Sequence, residues 1–213
     1  MILNELLNDP LLFVAWLVAI ISVLSIHEFS HALAGTLLGD STAKDSGRLT
    51  LNPLSHVSWV GFIMLLLVGF GWGNPVPFNP YNLRYQRFGP AIVALAGPLS
   101  NLLMAIIGIF VLKLFIVSSV VGADNLVVHF VNLFIVMNVV LMLFNLLPIP
   151  PLDGSKVLFS LFNNPRWEPM KAFLEGNGYW ILIFVLIFDS FFNLGLLNKL
   201  FSWGIDLVYR LLG

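Results

Sequence analysis

Cysteine is absent from this chain of 213 residues, which excludes disulfide bonds, thiolate metal ligands and a cysteine nucleophile. Charged residues are scarce: they make up 10% of the chain, whereas a soluble domain has ~25%. The net charge of -1 provides no basic surface, so we expect no nucleic-acid partner. Hydrophobic residues fill 59% of the sequence, with a mean hydropathy of +0.95, which indicates an integral membrane protein in a lipid bilayer.

The amino terminus lacks the features of a removable signal peptide. Residues 1–5 contain no basic side chain, and no small-residue cleavage site follows the first hydrophobic run. We therefore expect that run to be retained as a membrane span.

Four segments are apolar over the ~20 residues that a helix needs to cross a bilayer. They are residues 11–38, 91–121, 126–147 and 179–197. Residues 59–70 are also apolar, but this segment is short and runs into a stretch of glycine and proline. We predict an all-α membrane protein, a polytopic bundle of about 4–6 transmembrane helices with a small β-hairpin or strand region after the first helix.

Ionisable residues lie inside the first apolar segment. His27 and His31, four positions apart, occupy one face of a helix with Glu28 beside them, so the pair can grip one metal ion. Such groups are costly at membrane depth and are candidates for function. The chain has only two more histidines: we expect His56 to be structural and His129 to lie at the membrane interface.

A hydrolytic zinc site usually has three protein ligands and one open position, so the two histidines need a third partner. Asp153, which follows a proline-broken span, and Asp189, in the last span, are the candidates. If residues 59–70 cross the membrane, Asp153 emerges on the side opposite the histidines. If they form a re-entrant segment, Asp153 returns to the histidines' side, and covered irregular backbone is tolerated at that depth. We therefore favour Asp153.

The basic residues provide an independent indication of topology. With a re-entrant segment, one side carries Lys44, Arg48, Arg84, Arg87, Lys156, Arg166 and Lys171, and the other carries Lys113, Lys199 and Arg210. With a full crossing, the two sides are nearly equal. The positive-inside rule favours the asymmetric arrangement, with an external amino terminus and the active site near the cytoplasmic side of the cell membrane.

Two further side chains suit hydrolysis. Glu28 can take a proton from metal-activated water and pass it to the leaving amine. The amide of Asn145 can hydrogen-bond the substrate backbone or the developing oxyanion.

These motifs resemble the site-2 protease family of intramembrane zinc metalloproteases, in a short form without a PDZ domain. The matching stretches are HEFSH at 27–31, GRLTLNP at 47–53, GWGNPVP at 71–77, AGPLSN at 96–101 and NLLPIPPLDG at 145–154. The resemblance implies one Zn²⁺ held by His27, His31 and Asp153, with Glu28 as general base. Short members often carry Asp where this chain has Ser58.

The resemblance also implies the reaction and its substrates. The expected activity is hydrolysis of peptide bonds in or near transmembrane segments of membrane proteins, as in regulated intramembrane proteolysis. An unfolded substrate is expected to pair with an edge strand formed by Leu49, Thr50 and Leu51. The whole chain, 1–213, would form one metalloprotease domain, with a catalytic core at 11–160 and C-terminal helices at 179–213.

Two other functions are compatible with a buried histidine pair. A divalent-metal transporter would use the histidines as a transit site, but it needs polar residues along several spans, and few are present. An inactive scaffold that binds membrane helices would not require Glu28. The roles of Asn101 and Asp189, the substrate, the regulatory signal and the oligomeric state stay open.

Overall fold

The computed structural model describes residues 9–68, 71–118, 125–162 and 164–211, and these form a helical protein. The predicted external amino terminus falls on residues 1–8, outside the described residues. The helices are α1 (Pro10–Leu37), α2 (Thr42–Asp45), α3 (Trp59–Val68), α4 (Gly89–Ser118), α5 (Leu126–Asn145), α6 (Asp153–Leu161), α7 (Glu168–Phe191) and α8 (Leu196–Arg210). Single turns of 3-10 helix cover Pro53–Ser55, Pro80–Asn82 and Pro165–Trp167.

Four helices among the described residues are long and apolar enough to cross a membrane: α1, α4, α5 and α7. At most 28% of the most apolar window of each is buried within the chain. Most of their apolar surface therefore faces outward, as expected for helices surrounded by lipid. The predicted all-α, multi-pass membrane architecture is confirmed.

Helix α4 packs against both α1 and α5 at the centre of the bundle, and α1 also contacts α5 directly. Its contact with α5 is a cluster of buried aliphatic side chains: Ala105, Ile109 and Leu112 from α4, Val128, Ile135 and Val139 from α5, and Val208 from α8. On α1 the buried positions include Ala15, Ala19, Ala32 and Gly35. Such small residues let helix backbones approach closely where lipid gives no hydrophobic drive for association.

Helix α3 is short. Its 10 residues span ~15 Å, about half of a ~30 Å hydrocarbon core. The chain then returns to its starting point: Val57 forms an antiparallel bridge with Gly73, and the Asn74 N–H donates to the His56 carbonyl at 2.7 Å. Gly61 permits this return, because a Cβ there would collide with the Trp72 backbone.

No strand is found over the described residues, so the predicted β-hairpin or strand region after the first helix is not confirmed. The Val57–Gly73 bridge is isolated. Leu49, Thr50 and Leu51 lie in an irregular segment. A strand needs a partner strand, and here the Thr50 carbonyl instead accepts a hydrogen bond from His56 Nε2 at 2.8 Å.

A buried carboxylate ties the end of α1 to the segment that leads into α4. Asp40 is 1% exposed and accepts hydrogen bonds from the Thr42 hydroxyl at 2.6 Å, the Asn79 N–H at 2.7 Å and the Asn82 amide at 3.1 Å. Burial alone would raise the pKa of Asp40, but these hydrogen bonds outweigh it and the pKa is lowered. These hydrogen bonds fix the carboxyl end of α1 relative to the segment that precedes α4.

Asp189 has a local structural role in the turn between α7 and α8. Its carboxylate accepts from the Leu196 N–H at 2.7 Å, at the first residue of α8. Gly195, with φ +61°, provides the left-handed conformation that this turn requires. The sequence left open whether Asp189 is a relay or a polar partner in the bundle; the structure shows that it caps α8.

Helix α8 runs antiparallel to α5. Gly204 packs against Leu143, and the Tyr209 hydroxyl donates to Asn132 at 3.4 Å, nearer the other end of α5. Helix α8 therefore begins level with the carboxyl end of α5. Lys199 accordingly lies towards the end of the bundle where α6 begins, which differs from the prediction that groups it with Lys113.

Candidate metal centre

Helix α1 holds His27 and His31 side by side on its buried face, because residues four apart share one side of a helix. The two side chains are almost inaccessible, with 3% and 8% of their residue surface exposed. Their rings meet edge to face with centroids 4.6 Å apart, and their Nε2 atoms are separated by 3.0 Å.

The other nitrogen of each ring is held by α4. Nδ1 of His31 lies 2.7 Å from the Val93 carbonyl, and Nδ1 of His27 lies 2.6 Å from Oδ1 of Asn101. A carbonyl oxygen can only accept, so both Nδ1 atoms carry the hydrogen. The Nε2 atoms are therefore left with their lone pairs, and these two atoms lie 3.0 Å apart.

Asp153 contributes a third atom with free lone pairs. Its Oδ2 lies 3.2 Å from His27 Nε2 and 3.3 Å from His31 Nε2. This oxygen is buried, and within the described part of the chain it has no hydrogen bond of normal geometry. A buried carboxylate oxygen without a donor is strongly unfavourable unless a cation compensates it.

The start of α6 places Asp153 at this depth. Gly154 packs so tightly against the Leu146 and Leu147 carbonyls that a Cβ there would collide with both. The fully buried Ser155 closes the first turn by donating to the Leu152 carbonyl at 2.7 Å. The amino end of a helix carries partial positive charge, which favours a carboxylate at Asp153.

The geometry fits one divalent cation. Two imidazole nitrogens and one carboxylate oxygen, 3.0–3.3 Å apart, form a donor set that zinc uses in hydrolytic sites. Ligands about 2.0–2.1 Å from a tetrahedral ion are separated by about 3.3–3.4 Å, close to the spacing seen. Protonating both rings instead would place two cations with their Nε2 atoms 3.0 Å apart. The fold thus unites His27, His31 and Asp153; their role as metal ligands remains a prediction.

The two predicted catalytic side chains take no part in this convergence. Glu28 is partly buried beside His27, and its carboxylate has no hydrogen bond or ion pair within the described segments. Asn145 donates its amide to the Leu141 carbonyl of its own helix at 3.0 Å. The catalytic roles of both residues remain predictions.

Sequence reasoning missed two contributors to the site. A Cβ on Gly97 would collide with both imidazole rings, so glycine at this position makes room for the histidine pair. Asn138 of α5 accepts from the Asn101 amide at 3.0 Å and so extends the polar contacts of His27 to a third helix. The stretch AGPLSN includes Gly97 and Asn101, but their contacts with the histidines become visible only in the packing of α4 on α1 and α5.

His56 lies outside the cluster and fits the structural role expected for it. It is fully buried, and its Nε2 donates to the Thr50 carbonyl.

Comparisons with known proteins agree with a metallopeptidase site. Residues 114–188, which include Asp153 but not the histidine pair, match the model of Peptidase family M50. The chain is 35% identical to "Putative zinc metalloprotease YwhC" of Bacillus subtilis (strain 168), over 98% of this chain and 96% of that protein. It is 28% identical to "Putative zinc metalloprotease Rip2" of Mycolicibacterium smegmatis, over 93% of this chain and 71% of that protein. No solved structure matches the chain.

We predict that Gly97→Ala weakens metal binding. The added methyl would press on both imidazole rings, and overpacking of this kind costs about 1–3 kcal/mol, or roughly tenfold in metal affinity if the rings move. Zinc content and affinity, measured by chelator competition on the purified protein, would test this.

Gly108→Ala is the matched control: Gly108 is also on α4 but away from the histidines, and a Cβ there would crowd Ile135 of α5. Both variants should lose thermal stability, and only Gly97→Ala should lose metal affinity. Equal zinc affinity in the two variants would contradict the placement of Gly97 against the site.

Proposed function

The chain belongs to peptidase family M50 and is a zinc metalloprotease with a multi-pass membrane architecture, and we propose that it hydrolyses peptide bonds in or near transmembrane segments. The observation that carries this proposal is the convergence of His27, His31 and Asp153 within the apolar bundle. His27 lies about 25 Å along α1 at ~1.5 Å per residue, so the site would open within the membrane and not in a soluble domain.

His27, His31 and Asp153 would hold the zinc ion, with Asn101 and Val93 fixing the two rings. When bound, zinc supplies Lewis acidity, which polarises the scissile carbonyl and makes water more acidic. The water and the substrate carbonyl would occupy the side of the site not covered by α4.

Glu28 would be the general base. Its carboxylate would take one proton from the attacking water, whose oxygen bonds to the carbonyl carbon, and then deliver that proton to the nitrogen of the breaking C–N bond. The free carboxylate of Glu28, with no partner in the described residues, suits this task. Asn145 would assist by donating to the developing oxyanion after turning away from the Leu141 carbonyl.

We further propose that α3 is a re-entrant segment and that the site lies near the cytoplasmic face. The return of Asn74 to His56 supports re-entry, because the chain would enter and leave the membrane at one place. Basic residues gather at the end of the bundle where α6 begins: the Arg84 N–H donates to the Leu38 carbonyl, and Lys156 lies on α6. Positive charge is favoured on the cytoplasmic side.

A substrate would bind by pairing with residues 49–51. Leu51 is 58% exposed, and the backbone groups of Leu49 and Leu51 have no hydrogen bonds to other described residues. A transmembrane helix must unwind before its amide can be attacked, and an added strand would satisfy the groups that unwinding frees.

We predict that Glu28→Gln lowers cleavage at least ~100-fold while zinc stays bound, because the amide cannot accept the proton. Asp153→Ala should instead lose zinc, since two imidazoles alone hold the ion weakly. Both variants would be assayed with membrane-spanning peptides, alongside metal analysis of the same preparations.

Exposed Asp45→Ala, which removes a carboxylate outside the metal cluster, is the control for Asp153→Ala and should keep both zinc and activity. Full zinc content in Asp153→Ala would remove this residue from the ligand set. Cleavage by zinc-loaded Glu28→Gln at the wild-type rate would exclude Glu28 as the base.

The absence of cysteine allows a clean test of the topology. Single cysteines at the exposed positions Ser46 and Pro77 flank α3, and one at Asp9 precedes α1. A membrane-impermeant thiol reagent should label positions 46 and 77 only from the cytoplasmic side, and position 9 only from outside. Labelling of 46 and 77 from opposite sides would show that α3 crosses the membrane.

Cross-linking would test strand pairing. A photoreactive thiol reagent on Leu51→Cys should capture a membrane-spanning substrate bound to zinc-loaded Glu28→Gln protein. Leu161→Cys, at an equally exposed leucine on α6, is the control and should capture none. Equal capture at both positions would rule against residues 49–51 as the docking segment.

A further inference from the structure

We propose that Asn138 is a positioning residue for the metal site: through Asn101 it keeps the hydrogen of His27 on Nδ1, which leaves Nε2 able to bind the ion. Asn138 lies on α5, touches neither imidazole in any hydrogen bond of the described structure, and is 1% exposed. The proposal rests on the proposed role of His27 as a zinc ligand and adds a residue from a third helix to it.

The hydrogen bonds that orient His27 start from a backbone carbonyl on α5. The Asn138 amide nitrogen donates to the Phe134 carbonyl at 2.8 Å. Because a carbonyl can only accept, this contact fixes which way round the Asn138 amide lies, and its Oδ1 must point away from Phe134.

The orientation of Asn138 in turn fixes that of Asn101. Asn138 Oδ1 accepts from the Asn101 amide nitrogen at 3.0 Å, so Asn101 is oriented with its own Oδ1 towards α1. That oxygen faces His27 Nδ1 at 2.6 Å and can accept only if Nδ1 carries the hydrogen. Each amide therefore has one allowed orientation, and the sequence of bonds leaves the Nε2 lone pair of His27 facing Asp153.

The two histidines differ in how they are held. His31 Nδ1 meets the Val93 carbonyl directly, so backbone alone fixes its tautomer. His27 instead meets a side-chain amide, which could rotate by half a turn and present a donor. If Asn101 rotated, its NH₂ group would face Nδ1, His27 would carry its hydrogen on Nε2, and the ring could no longer bind a metal there.

Because Asn101 is buried, its amide orientation has to be set by a protein group. Asn101 is fully buried, so water cannot replace a lost partner, and an unpaired amide costs free energy in either orientation. Asn138 removes the ambiguity by offering Asn101 only an acceptor. Partners behind metal-binding histidines typically change metal affinity 10–100-fold when they are removed.

The experiment measures zinc affinity by chelator competition in purified protein, without reference to activity. Asn138→Leu, which cannot orient Asn101, should weaken zinc binding about tenfold. Asn138→Asp, protonated in this buried position, keeps an acceptor for Asn101 and a donor for Phe134, and should bind zinc within about threefold of wild type. Asn132→Leu makes the same change on the same helix, where the amide meets Tyr209, and should have no effect.

Asn101→Asp distinguishes positioning from packing. A carboxylate presents an oxygen to His27 in either orientation, so Asn138→Leu should cost less than about twofold in the Asn101→Asp background. If Asn138→Leu lowers zinc affinity equally with Asn and with Asp at position 101, the proposal is overturned. Tight zinc binding by the single variant Asn138→Leu would overturn it as well. His27→Ala distinguishes failure of the ligand set from failure of the positioning role. If this variant binds zinc as wild type does, the proposed ligand set is wrong, and the positioning role of Asn138 is wrong with it. If His27→Ala loses zinc while Asn138→Leu does not, only the positioning role of Asn138 is wrong.

Discussion

Two unprotonated imidazole nitrogens, 3.0 Å apart and next to a buried carboxylate oxygen, form the constraint on which this structure depends. Such an arrangement is unfavourable in an apolar bundle unless a cation lies among the three atoms. A different feature of the fold places each of these three atoms. The helical repeat of α1 pairs His27 with His31, the contacts of α4 turn the two rings, and the close packing of Gly154 brings Asp153 to their depth.

The membrane setting explains why the amide groups behind His27 are so fully connected. Without water in the hydrocarbon, each buried donor or acceptor needs a partner within the protein. Asn101 and Asn138 satisfy each other and end on a backbone carbonyl, and thus join α1, α4 and α5. Elsewhere the same helices meet through small and aliphatic side chains, which carry no such requirement. Polar contacts therefore concentrate where they orient a proposed ligand.

Much of the fold and of the candidate site could be predicted from the sequence, because the relevant signals are local or topological. Long apolar runs predicted the spans, and the spacing of His27 and His31 predicted a shared helical face. The parity of membrane crossings favoured Asp153 over Asp189, and the structure brings Asp153 to the histidines while Asp189 caps α8. What could not be predicted depends on tertiary packing. Nothing in the spacing shows that Gly97 faces the rings or that Asn138 reaches Asn101. The predicted hairpin is not confirmed, since residues 49–51 have no neighbouring strand among the described residues with which to pair.

The most direct test of the account is X-ray absorption at the zinc edge on the purified wild-type protein. We expect one zinc ion per chain, bound by light atoms only, with the scattering pattern of two imidazoles and a carboxylate oxygen. A shell with one or three imidazoles, or with methionine sulfur, would contradict the assignment of His27, His31 and Asp153 as the zinc ligands.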